Sequence, residues 1–209
     1  MAKPIPQDDS IVRDKDGRPV PEERSWILYD SQWIAAAALA AGTRQVLFTT
    51  PQGTPGNGFA VKTYSETNME QSGQLPANHR FDVKSIALEI VMLPTAAPIW
   101  PTYGDVASLI YRSNVTFNVV NKVMARVPTS TLGGGSAVYN SGLAAAGVAI
   151  PSNGWPHASN RWFLDTPIIL NAVSNFNVVL ETTTVWAAAA TVAFAYRINL
   201  HGTLYRPAQ

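Results

Sequence analysis

Residues 191–204 read TVAFAYRINLHGTL, and their alternation carries the fold assignment. Val192, Phe194, Tyr196, Ile198 and Leu200 take every second position, with Ala193, Ala195, Arg197, Asn199 and His201 between them. Successive side chains of a strand point to opposite faces, so a period of two sustained this long predicts a half-buried β-strand. The stretch before it, residues 175–183 (NFNVVLETT), is rich in β-branched and aromatic residues and predicts another strand. The VWAAAA link between the two fits a hairpin or a short corner.

The same reading extends outward. In residues 81–93, Phe81 and Val83 fall on odd positions while Ile86, Leu88, Ile90 and Met92 fall on even ones. That change of phase predicts a bulge near Lys84 and Ser85. Residues 113–127 read as a third long strand, with Val115, Phe117 and Val119 on one face. Shorter strands are expected at 25–31, 43–50, 143–150 and 161–170, with a weak extra at 61–65. Helix is scarce. Residues 33–41 (WIAAAALAA) have helical propensity but meet Gly42, and residues 105–111 form a short helix capped by Asp105 or Thr102. Neither supplies the crossovers of a parallel α/β sheet. Fifteen prolines and fourteen glycines punctuate about eight strands, and the long loops 51–58, 129–136 and 151–160 are rich in turn formers. The expectation is an all-β, antiparallel, eight-stranded sandwich in one domain, residues 25–209.

Composition sharpens this. The chain has 209 residues and 46% hydrophobic side chains, but only 14% charged ones, against a usual value of about 25%. Residues 1–24 hold eleven of the 29 charges, five basic and six acidic, beside Pro4, Pro6, Pro19 and Pro21. Without apolar periodicity, that segment is expected to be an extended arm. The remaining 185 residues carry only 18 charges. Interface cores are depleted of charge, so part of this body is expected to be covered by other chains. The alternative is a monomer with a surface of Ser, Thr, Asn and Gln. A net charge of +1 argues against bulk nucleic-acid binding, and the absence of cysteine removes disulfides and thiolate chemistry. MAKPIPQDDS lacks the apolar stretch of a signal peptide, and the longest nearly apolar run, residues 185–196, is shorter than the ~20 residues a membrane span needs.

Motifs for catalysis are missing. GNGFAVKT, residues 56–63, lacks the glycine before lysine that a phosphate loop requires, and the GGGS at 133–136 is no nucleophile elbow because position 138 is Val138. His79, His157 and His201 are widely spaced, and no pair of acids stands out, so no catalytic, cofactor or metal residues are assigned. Four loop aromatics, Trp100, Tyr103, Trp155 and Trp186, are candidate subunit-interface residues. The same four could seal the ends of the core or form a stacking platform for a ligand.

A charged arm, a charge-poor and cysteine-free β body, a short helix between two long strands, and a last strand ending HGTLYRPAQ together resemble a single jelly-roll coat protein of an icosahedral, bacterial virus. The resemblance is architectural and covers residues 25–206. It implies two packed four-stranded sheets with Greek-key connections, and capsomers tiled into a shell. The implied partners are copies of the chain itself and other virion proteins, in a virion assembled from protein made in the host cytoplasm. Many coat-protein arms are strongly basic, whereas this one balances five positive charges against six negative. Tying neighbours together therefore suits it better than binding genome. A β-sandwich carbohydrate- or receptor-binding module and a minor or cement virion protein stay open as alternatives.

Overall fold

A computed structural model describes residues 20–35, 39–91, 103–133, 139–140, 151–152, 161–185 and 193–207. Among the described residues ten strands follow one another: β1 (Glu22–Ile34), β2 (Arg44–Leu47), β3 (Arg80–Val91), β4 (Ser113–Val119), β5 (Lys122–Pro128), β6 (Tyr139–Asn140), β7 (Pro151–Ser152), β8 (Trp162–Asn171), β9 (Phe176–Thr182) and β10 (Phe194–Arg206). Helix α1 (Tyr103–Tyr111) lies between β3 and β4, and a 3-10 turn spans Thr129–Gly133.

Two four-stranded antiparallel sheets make a sandwich, with orders β1-β10-β3-β8 and β2-β9-β4-β5; β6 and β7 form a separate small ladder. Setting that ladder aside, the first strand of the sandwich pairs with the last, the second with the seventh, the third with the sixth and the fourth with the fifth. The chain is thus one long antiparallel ribbon folded over two sheets, which is the jelly-roll connection.

Inward-facing residues fill the space between the sheets. From the first sheet come Leu28, Ile34, Phe81, Ile86, Leu88, Phe194, Tyr196, Ile198 and Leu200; from the second come Leu47, Val115, Phe117, Phe176, Val178 and Leu180. Phe176 packs against Phe48 and Phe117 at centroid distances of 5.7 and 6.4 Å. Val106, Leu109 and Ile110 of α1 are buried in the same core together with Leu132 of the 3-10 turn. Asp105 lies inside the first turn of the helix, where a carboxylate favours the positive end of the helix dipole.

The bulge falls where the change of phase places it. Against β10, Val83 faces Gly202 and Ser85 faces His201, so Lys84 is the extra residue; the pairing with β8 shifts at the same point. Gly202 is required there, because a Cβ at that position would stand 2.0 Å from the carbonyl oxygen of Asp82.

Other expectations are corrected. The single strand over 113–127 is a hairpin, β4 and β5, broken at Val120 and Asn121, which have φ of 49° and 62°. Two positive φ values make the tight two-residue turn that matches strand twist. Residues 33–34 continue β1 rather than opening a helix, because Trp33 and Ile34 pair with Ala195 and Phe194; residues 36–38 of the expected helix lie outside the described residues. Of the hairpin or short corner expected after β9, the hairpin is excluded because β9 and β10 lie in different sheets; residues 186–192 of the link lie outside the described residues. β2 ends at Leu47 because Phe48 turns to a φ of 67°. Residues 61–65 form no strand: Lys62 points into the core. At the N-terminal end, β1 starts three residues before the expected strand, where Glu22 meets Arg206 across the sheet edge at 2.7 Å. The strand expected at 143–150 and most of the expected arm lie outside the described residues.

Candidate functional site

Asp30 lies on the inward phase of β1, in register with Leu28 and Ile34, and its carboxylate is fully buried. Its Oδ1 accepts a hydrogen bond from the Lys62 ammonium, which is itself fully buried. Its Oδ2 accepts the Phe48 N–H at 2.6 Å and the Asn57 side-chain amide at 3.2 Å. Burial pushes the carboxyl up and the ammonium down, and each charge opposes the shift of the other. One carboxylate thereby fixes the strained backbone of Phe48 and clasps the loop that follows β2. The loop turns at Asn57 and Gly58, both of positive φ, and a Cβ on Gly58 would meet Trp33 Cβ at 2.7 Å. The GNGFAVKT stretch is therefore a fastened turn. Nothing in the spacing singled out Asp30 or pointed to Lys62.

Fastening this loop builds one wall of a groove on the outer face of the β1-β10-β3-β8 sheet. The groove has a volume of about 800 Å³. Along β10, Arg197, Asn199, His201 and Thr203 line its floor; β3 gives Lys84, Ser85 and Glu89, and Arg161 and Phe163 come from the start of β8. Tyr64 in the loop, with Trp26, Ile27 and Tyr29 on β1, completes it. The bulge decides the content: in a regular strand, Lys84 and Ser85 would face opposite sides, but both line the groove.

Arg197 is held from several directions. Its guanidinium stacks over Tyr29 at 4.8 Å, donates to the Ser31 hydroxyl at 3.2 Å and to the Ser65 carbonyl, and pairs with Glu89 at 3.5 Å. Asn199 also donates to Glu89, at 3.2 Å. Arg161 stacks over Phe163 at 5.2 Å. The Tyr29 hydroxyl donates to the Tyr64 carbonyl, and burial, then the proximity of Tyr64, pushes its pKa to about 12. His201 is held below its ordinary value of 6.5 by burial and by the charge of Arg161, against the pull of Glu89. Tyr64 and Phe163 stay 61% and 54% exposed.

Of the four candidate interface aromatics, Trp100, Trp155 and Trp186 lie outside the described residues. Tyr103 is the first residue of α1, and its side chain lies outside them as well. The groove residues come from five segments of chain, and only the outward phase of Arg197, Asn199 and His201 was visible in advance. Among the described residues, no cluster of three metal-ligating side chains forms, and no helix is long and apolar enough to cross a membrane. Comparison with protein-family models, with curated proteins and with solved structures finds no match.

Proposed function

We propose that the protein is a structural virion protein, a coat subunit that assembles with copies of itself into a closed shell. The observation carrying this reading is a pair of misplaced valines. Val120 and Val173 sit in neighbouring turns, joined by a bond from Val120 N–H to Asn175 O at 2.8 Å. Both have positive φ, 49° and 59°, and both are exposed, by 62% and 71%. A β-branched residue in the left-handed region costs about 1–2 kcal/mol, and glycine or asparagine relieves that strain. A free monomer gains nothing from an apolar side chain held at such a site. A subunit that buries the pair against a neighbour recovers the cost through apolar burial, at about 25 cal/mol per Å².

Two further features support the reading. The ribbon-like strand order agrees with the jelly-roll resemblance. The body also has only 18 charges over 185 residues, which lets large areas meet without desolvating many ions. Number of copies per particle would distinguish a major subunit from a minor or cement protein.

Replacing both valines with asparagine separates fold from assembly. Under dissociating conditions the V120N/V173N chain is expected to melt at or above the wild-type temperature, because strain is relieved. Its particles, read by light scattering after chromatography, are expected to be lost. Wild-type particle mass in the double variant would overturn the role given to these turns.

A further inference from the structure

We propose that the groove on the outer face of the β1-β10-β3-β8 sheet binds an acidic oligosaccharide. The argument starts from the distribution of charge. Residues 25–209 have 18 charged side chains, yet Lys84, Glu89, Arg161 and Arg197 converge here. Contact between copies would favour the opposite, since interface cores are depleted of charge. Arg197 is matched by Glu89, and Lys84 adds a cation beside that pair, a positive surplus that complements an anionic ligand.

The rest of the lining suits a sugar. Pyranose rings offer an apolar C–H face and an equatorial fringe of hydroxyls. Exposed Tyr64 and Phe163 supply flat apolar surfaces for the first. Asn199, Glu89 and Arg197 supply planar, two-pronged polar groups for the second, already fixed by bonds to one another. Lys84 is placed on this face by the bulge, a device that re-aims side chains next to sites. A volume of about 800 Å³ lies within the range of small-ligand sites, ~300–1,000 Å³. The proposal does not depend on assembly: a monomer could bind sugar, and a shell could form without it.

Full-length protein is titrated calorimetrically with trigalacturonate, 3′-sialyllactose and a heparin tetrasaccharide, with cellotriose as the neutral control. Saturable binding of at least one acidic probe, and none of cellotriose at the same concentrations, is expected. Tyr64→Ala is expected to weaken it about three- to tenfold, the loss of one stacking surface. Its backbone carbonyl still accepts the Tyr29 hydroxyl in that variant. Lys84→Gln is expected to weaken binding about tenfold and to flatten its dependence on salt. Particle size should be unchanged in both variants. Failure of all three acidic probes to bind at millimolar concentration would overturn the proposal, as would equal binding of cellotriose or affinity unaffected by either substitution. Loss of particles in these variants would also overturn it, by assigning the groove to contact between copies, and would leave the assembly reading standing.

Discussion

Asp30 and Lys62 illustrate what one residue pair settles. Their bond lies where Coulomb attraction is strong and desolvation is costly, so its value shows when one partner is removed. Lys62→Met would leave a buried carboxylate that still accepts the Phe48 N–H but has lost its cation. Unfolding in urea is expected to show a loss of about 3–5 kcal/mol. The D30N/K62M double variant is expected to recover part of that loss, since no unpaired charge remains. Additive losses would mean that the two residues act independently. His201 adds a dependence on pH. Its folded pKa lies below 6.5, so between that value and 6.5 the unfolded chain binds more protons than the folded one. The stability this contributes is complete above pH 6.5 and is lost as pH falls through the folded value. The urea midpoint of the wild type is therefore expected to drop between pH 7 and pH 5 more steeply than that of His201→Gln. Parallel curves would contradict the assignment. Neither feature was open to sequence reading in full. Alternation showed which way His201 points but not which neighbouring strand meets it, and nothing in the sequence singled out Asp30 or its loop partner.

At the scale of elements, alternation told most where a strand has one wet face. β10 and the bulge in β3 were legible because each shift of phase moves side chains across the sheet. The β4–β5 turn was hidden because Val120 and Asn121 lack the usual Asn-Gly or Asp-Gly signature, and valine there looks like continuing strand. The end of β1 was hidden by the alanines that follow it, whose helical propensity made Trp33 and Ile34 look like the start of a helix although both pair with β10. The bulge itself is testable through Gly202. An added methyl would collide with the Asp82 backbone, which cannot retreat without breaking the β3–β10 pairing. Gly202→Ala is expected to cost at least the ~1–3 kcal/mol of overpacking, seen as a lowered melting temperature. An unchanged melting temperature would show that the bulge can relax. Strand edges also bear on assembly. β5 is an edge strand, but it has Lys122 and Arg126, a bulge at Met124 and a terminal Pro128, features that discourage strand addition. The contact proposed through the turns at Val120 and Val173 would avoid that edge.

At the scale of the whole molecule, the ribbon order was legible only as a class. Strand count, turn residues and scarce helix pointed to a sandwich, whereas pairing of first strand with last depends on contacts across nearly the full chain. The sparse charge and the strained apolar turns then ask the same question of the molecule: whether it exists alone. Sedimentation velocity of the full-length chain from micromolar to high concentration answers this most directly. The account predicts fast-sedimenting species of many subunits, with closed particles of uniform diameter when the same fractions are imaged. A single boundary at the mass of one chain, 22.5 kDa, throughout that range would contradict it.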